Sequence, residues 1–504
     1  MLGLDDYDAP IRDTADFCIV GSGPGGAILA HTLAASGAKV VVVEAGPALG
    51  PDDFVRDIGK TLASYFWDGG ARTSRGNTIL PTLQARALGG GTVFNSGICM
   101  RPVEGLLDKW GDEYGLTNLA GDALDPHFEA VEKFLNIQPA KEQVWGRRNE
   151  LFREACDKLG WSWEPTLRFE EGCVGSAECI TGCRAGAKNS VDKRGIREFV
   201  EAGGTVYTSV QVDELIRDGN AVRGVIGTTV DHQTWERKHP VRIQAKCTIV
   251  AAGAINTPVI VRRSGFKRAA IGSNLTFHPS CLVLGLFDEP VQPWDGATQG
   301  VHSTEHLDRG IKLEALWATT STFAMRLPKA PRQFKRYLDR FDHIAVWDGW
   351  ISGEASTGQV RALPGGRPDI QYDMGESDVR RLAEATALLC DMYAAVGAKE
   401  VFLGVRGLPT VMDPTEAAAE LRKATFSPAD LTSGSNHVMG TMPMGAKPEQ
   451  GAACDSWGKL FDAEDCYICD TSLYPSSPGV NPQLTAMALA HRLGQELPSR
   501  YGLG

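Results

Sequence analysis

Gly21, Gly23 and Gly26 stand at the G-x-G-x-x-G spacing in the run Gly21-Ser22-Gly23-Pro24-Gly25-Gly26. Glycines so placed turn a chain sharply, let backbone approach a pyrophosphate, and let a helix pack closely on a strand. Glu44 follows at the end of the next apolar run, where a carboxylate can accept the hydroxyls of an adenosine ribose. A second cluster, Gly89, Gly90 and Gly91, forms a flexible turn with Arg86, Thr92, Asn95 and Arg101 close by. Near the other end, His437 precedes a Gly-Thr and a Met-Gly turn, and Asn481 stands in Val480-Asn481-Pro482. An imidazole neutral near pH 7 can take a proton, and an amide can fix the oxygen that loses it. The turns after His437 suit backbone that must approach something large and flat. Cys173, Cys179 and Cys183 are spaced C-x5-C-x3-C, close enough for an iron–sulfur cluster or zinc. No fourth ligand is evident, so packed thiols and no metal are expected there. Cys466 and Cys469 form C-x-x-C in a strand-like run and are expected as buried thiols rather than a redox pair.

These residues need particular elements to hold them. Asp16–Val20 reads as a strand, the segment from Ala27 to Gly37 as an amphipathic helix, and Lys39–Val43 as a buried strand ending at Glu44. That is a βαβ unit with the helix N-terminus aimed at a phosphate. An acid at the ribose disfavours a 2′-phosphate, so FAD or NAD is expected rather than NADP. Lys188 to Val225 reads as helix, strand, strand, with Gly203-Gly204 ending the helix and Gly219-Asn220 turning a hairpin. A strand from Thr248 leads to a helix opening at Asn256-Thr257-Pro258, with proline in its first turn. Residues 280–430 look less regular. Most of Trp294, Trp317, Phe323, Trp347 and Trp350 are expected in the core, a few on an apolar pocket. Glu314, in the strand-like Lys312–Trp317, reads as an ordinary sheet carboxylate ahead of a substrate-facing one.

Over nearly its whole length the chain resembles the glucose–methanol–choline (GMC) oxidoreductases. It matches their flavin-wrapping stretch at Arg86, Leu88, Gly89, Gly90, Asn95 and Arg101, and departs at Ala85, Gly91-Thr92 and Pro102. It matches a second signature at Gly253, Ala254, Thr257, Pro258, Ser264 and Gly265, and the following segment at Ile271–Leu275, His278 and Pro279. The C-terminal signature is met at His437, Gly440, Thr441, Met444, Gly445, Asp470, Pro475, Asn481, Pro482, Thr485, Ala488, Leu489 and Ala490. The resemblance implies FAD, with His437 as catalytic base and Asn481 as its partner. It also implies cofactor contacts at Gly21, Gly23, Gly25, Gly26, Glu44, Arg86, Gly89, Gly90, Gly91, Thr92, Asn95, Val212, Asp470, Asn481, Pro482 and Thr485. Val212 matches the position whose backbone faces the adenine, and His278 is expected to be structural. Some members attach FAD through a histidine in the glycine loop. None lies between Ala85 and Pro102, so non-covalent FAD is expected. The implied reaction is oxidation of an alcohol to a carbonyl, with hydride passing to flavin N5 and electrons to O2, a quinone or a cytochrome. A lyase of the same fold and a dehydrogenase subunit serving a protein partner are the alternatives. The run around Cys183–Asp192 is similar to cholesterol oxidases and long-chain alcohol oxidases, leaning toward a hydrophobic alcohol, whereas some FAD sugar dehydrogenases carry a cluster there. The implied fold is α/β (α+β overall). A Rossmann-like FAD-binding domain comes from residues 1–110, 172–279 and 431–504. A discontinuous substrate domain of antiparallel sheet and helices comes from 111–171 and 280–430.

Composition sets the outer bounds. At 504 residues the chain is long enough for two interleaved domains, and 43% hydrophobic with 22% charged residues is ordinary for a globular enzyme. A net charge of −11 argues against nucleic acid or an anionic membrane surface as main partner. No apolar run reaches the length of a membrane span, and the acidic start carries no signal-peptide pattern. Twelve cysteines in a chain this long are expected as reduced thiols in the cytoplasm.

Overall fold

Two sheets divide the work. The computed structural model describes residues 1–503. The first sheet runs in the order Thr205–Tyr207, Val40–Val43, Ile11–Val20, Arg237–Val250, Ala221–Val230, Val210–Asp218, with Cys466–Ile468 joining the far half of Arg237–Val250. Its first four strands and Cys466–Ile468 are parallel, and the last two are antiparallel. Phe17–Val20 and Val40–Val43 are buried throughout, as continuous apolar strands covered on both faces must be. The helix Pro24–Ala34 packs against the last helix, Gln483–Arg500, so the two chain ends share one core.

Three local features differ from the expectation. The first strand starts at Ile11, because its polar half finds a partner in the long strand from Arg237. The segment after Lys188 is an irregular turn, Asp192–Ile196, feeding a short helix, Arg197–Glu201. Gly195, at φ 40°, breaks what looked like one helix. The third difference concerns Pro258. Its helix begins at Gly253 and runs to Arg263, which places the proline inside it. Proline offers no N–H, so the carbonyl four residues back is free. That carbonyl, on Ala254, accepts the Thr441 hydroxyl at 2.5 Å.

The second sheet orders the region that had looked irregular. Its strands run Val411–Met412, Glu400–Phe402, Ser280–Leu286, Ile344–Ile351, Ile311–Leu316, Val301–Ser303, Glu164–Pro165, all antiparallel. Side chains alternate across such a sheet. One face, with Cys281, Val283, Leu313, Ala315 and Trp347, packs under the helix Glu376–Ala395. Trp347 stacks on Tyr393 at 4.0 Å. The other face carries the cross-strand pairs Ser280/Trp350, Leu282/Asp348, Lys312/Trp350 and Glu314/Asp348. This face looks onto the first sheet's strand ends. Phe323 and Trp347 are core and Trp294 is exposed, while Trp317 and Trp350 line the cavity between the sheets.

The first core also takes the helices Leu106–Tyr114 and Asp125–Leu135, through Trp110, Phe128, Val131 and Leu135. The second core takes Leu80 and then segments from Ala140 onward. The boundary expected at residue 111 therefore cuts a helix that belongs with the first core. Among the described residues no helix is long and apolar enough to cross a membrane.

Candidate functional site

A single cavity of 1210 Å³ runs between the sheets, with Gly21, Gly23, Glu44, Gly90 and Gly91 at one end and His437 and Asn481 at the other. The glycines make the first end. A Cβ on Gly25 would sit 2.0 Å from the Cys469 carbonyl oxygen, and one on Gly26 would sit 2.0 Å from that of Gly21. Helix, strand and C-terminal segment thus meet at backbone distance. A Cβ on Gly90 would come within 2.9 Å of the Gly23 Cα, so the two glycine loops touch. Gly23 and Gly91, in contrast, have open space where a Cβ would lie. The helix Pro24–Ala34 begins there, directing its positive end at the same space. Glu44 accepts from the Ser22 N–H and hydroxyl at 2.9 and 2.7 Å, and from the Gly46 N–H at 2.8 Å. A carboxylate has about four lone-pair sites, so one is left for a ribose hydroxyl rather than the two expected. These features fit an adenine dinucleotide.

His437 is placed by strand register. Thr276–Phe277 and Val438–Met439 form a two-residue antiparallel ladder with Phe277 opposite Val438. Continuing it by one step sets His278 against His437, and their Nδ1 atoms are 3.0 Å apart. Ser435 braces both, its Oγ accepting from the His278 and His437 backbone N–H groups at 3.3 Å each. His278 lies flat on Trp350, centroids 4.4 Å apart, and its Nε2 meets the Ser477 hydroxyl at 2.6 Å. Asn481 arrives on the loop before the last helix, its Nδ2 3.4 Å from His437 Nε2. Its Oδ1 accepts from Lys312 Nζ at 2.9 Å. Lys312 also pairs with Glu314 Oε1, while Gln299 Nε2 donates to Glu314 Oε2.

Burial decides the charge states. It pushes the His437 pKa down to about 4, with Glu314 opposing and Lys312 assisting. It holds His278 well below the ordinary histidine range, helped by His437 and Lys312. Both imidazoles are therefore neutral near pH 7. Asp348 is driven well above the carboxylate range by burial and by Glu314. This end of the cavity can accept one proton at His437 Nε2 while donating from the Asn481 amide.

The family model described as GMC oxidoreductase matches residues 62–280 and, in its C-terminal part, 355–490. This chain belongs to the GMC oxidoreductase family. A NAD(P)-binding Rossmann-like domain model also matches residues 19–78. A GMC-type oxidoreductase of Mycobacterium tuberculosis, itself uncharacterised, is 32% identical over 96% of this chain and 76% of its own. A long-chain-alcohol oxidase of Arabidopsis thaliana is 26% identical over 97% of this chain and 69% of its own. Among solved structures, formate oxidase of Aspergillus oryzae superposes with TM-score 0.74 at 15% identity, covering 98% of this chain and 100% of that one.

Not every residue carried by the GMC signatures reaches the cavity. Gly21, Gly23, Gly25, Glu44, Gly90, Gly91, Asn95, Val212, Asp470, Asn481, Pro482 and His437 line it. Gly26, Arg86, Gly89, Thr92 and Thr485 do not. Arg86 is buried behind the loop, its guanidinium 3.5 Å from the Trp235 ring centroid and bonded to the His232 carbonyl at 3.1 Å. Thr92 gives its hydroxyl to the Gly89 carbonyl at 2.7 Å, and Thr485 is fully buried in the last helix. Asn95 and Asp470 line the cavity with their polar atoms already engaged. Asn95 bonds Gln483 and the Gly97 N–H at 2.9 Å each. Asp470 takes the Gly253 N–H, the Thr257 hydroxyl and the Ser472 N–H at 2.9, 2.6 and 2.8 Å. Glu314 does line the cavity, with both oxygens paired. Lys312, Gln299 and Ser477 escaped the sequence reading. Only the alternation in Lys312–Leu316 hinted that Lys312 and Glu314 share a face. All twelve cysteines are free thiols, and among the described residues no cluster of His, Cys, Asp or Glu could hold a metal.

Proposed function

We propose that this protein oxidises an alcohol to its carbonyl, using FAD held without a covalent link and His437 as the base. The observation that carries this reading is the continuity of one cavity from the Gly23 and Glu44 end to the His437–Asn481 pair. Bound FAD would supply the hydride acceptor, its N5. The glycine loops, Glu44 and the start of the helix Pro24–Ala34 would hold its adenosine and pyrophosphate, and the segment around Pro482 would border its ring.

The chain's own residues do the rest. The Asn481 amide donates to the substrate oxygen and turns the carbinol carbon toward the ring. His437, neutral because it is buried, takes the hydroxyl proton at Nε2. His278 supports the opposite ring nitrogen. Leu282, Leu316, Trp317, Met325, Leu327 and Trp350 line the chamber with apolar surface. Such walls favour a hydrophobic alcohol over a sugar, and the likeness to a long-chain-alcohol oxidase leans the same way.

The test is anaerobic. A panel of aliphatic, aromatic and sterol alcohols should bleach the visible flavin band of the holoenzyme, and His437→Ala should keep FAD yet lose about 10²–10⁴ in rate. A flavoprotein that stays yellow with every alcohol while cleaving a cyanohydrin would replace this reading with a lyase. Reoxidation by air, or only by a quinone or cytochrome, then identifies the acceptor.

A further inference from the structure

We propose that Lys312 is a positioning residue that acts through Asn481 to fix which nitrogen of His437 carries the proton. The claim rests on His437 serving as the base. Lys312 is fully buried near the start of the strand Ile311–Leu316 and lies behind the residues that line the cavity, where it meets Asn481.

An ammonium can only donate. Lys312 Nζ lies 2.9 Å from one end of the Asn481 amide, and that end must therefore be the oxygen. The amide's other end, its NH2, is then forced toward His437 Nε2 at 3.4 Å. A ring nitrogen facing an N–H donor must present its lone pair. The proton of neutral His437 accordingly sits on Nδ1 and is donated to His278 Nδ1, 3.0 Å away. That leaves the His278 proton on Nε2, donated to the Ser477 hydroxyl at 2.6 Å. The opposite arrangement would put an N–H on His437 Nε2, unable to take a proton and facing another donor. A substrate hydroxyl entering between the amide and Nε2 finds a donor for its oxygen and an acceptor for its hydrogen. A buried lysine thus sets a hydrogen-bond direction that runs from Asn481 to Ser477. Glu314, held by Gln299, keeps Lys312 in place.

Charge gives the readout that a merely structural lysine would not move. The groups facing His437 are His278, Lys312 and Glu314, with Asp348 behind them on the neighbouring strand. Lys312 and Glu314 act on the imidazole in opposite senses. In Lys312→Met holoenzyme, kcat should fall about 100-fold with KM little changed, since the amide can now flip. The acidic limb of kcat/KM should also move up, because Glu314 is left unopposed. Lys312→Met combined with Glu314→Gln should return the limb toward the parent while kcat stays low. Visible flavin content confirms folding in each case, and the double variant, free of a lone buried charge, decides if the single one fails to fold. Parental kcat in a flavin-loaded Lys312 variant overturns the proposal, and so does a double variant with restored kcat. If His437→Ala also turns over normally, the base assignment itself has failed. An inactive His437→Ala beside a normal Lys312→Met sinks only the positioning role.

Discussion

The depressed pKa of His437 makes a quantitative demand on the pH profile. A base with pKa about 4 is neutral in about 90% of molecules at pH 5, whereas an ordinary histidine, near 6.5, is neutral in about 3%. The value of kcat/KM at pH 5 should therefore stay near its pH 7 level, and decline only toward pH 4. The assay is the anaerobic rate of flavin bleaching under limiting alcohol, measured by stopped flow from about pH 4.5 to 8 at constant ionic strength. The same burial reaches stability. A histidine whose folded pKa lies below its unfolded one stabilises the fold fully above the unfolded value and loses that contribution as pH falls toward the folded value. For His437 the window runs from about 6.5 down to about 4 and is worth about 3 kcal/mol, so the urea midpoint should drop across it. His278 adds to the fall in the same direction. A rate profile with its acidic midpoint between pH 6 and 7, in a variant-free enzyme that is still folded, would refute the reasoning. It would mean that the imbalance between burial and Glu314 had been assigned to the wrong side.

Three further outcomes follow from the cofactor end. Gly23→Ala adds a methyl to open space at the cavity, so the protein should fold and bind FAD at least tenfold more weakly, read by flavin fluorescence titration; about 1.4 kcal/mol suffices for that. Gly25→Ala instead drives a methyl into the Cys469 carbonyl and should lower the melting temperature before any binding is measured. Acid precipitation should leave the pellet colourless and the supernatant yellow, since no histidine lies in the glycine loop to anchor the flavin.

Much of the cofactor end was legible because its logic is local. Gly21 to Glu44 carries strand, turn, helix and acid in one unbroken run, and each residue's job depends on its neighbours in sequence. The signatures around His437 and Asn481 were equally clear as signatures. What stayed hidden depends on register. Lys312 meets Asn481 only because Ile311–Leu316 pairs with Ile344–Ile351 in one particular alignment, and a one-residue slip would turn Lys312 into the opposite core. His278 read as structural, yet the ladder through Phe277 and Val438 brings it onto His437. Arg86 shows the same dependence: its spacing fits the glycine loop, but the hairpin that carries Trp235 covers its guanidinium, so that Trp235 and not Arg86 lines the cavity. Pro258 looked like a helix start because a lost N–H is harmless there. Thr441, far along the chain, makes it harmless inside the helix as well.

Cys466–Ile468 is a strand of only three residues, but it arrives last and closes the side of Arg237–Val250 that carries Thr248–Val250. Until some 470 residues have left the ribosome, that half of the long strand presents bare N–H and C=O groups to whatever else is extended nearby. The nucleotide-binding core begins at the chain's first strand yet cannot be sealed before its end. A ribosome stalled or cleaved short of that point would release a chain with an adhesive margin. Truncation here should therefore show itself as aggregation rather than as a smaller, inactive enzyme.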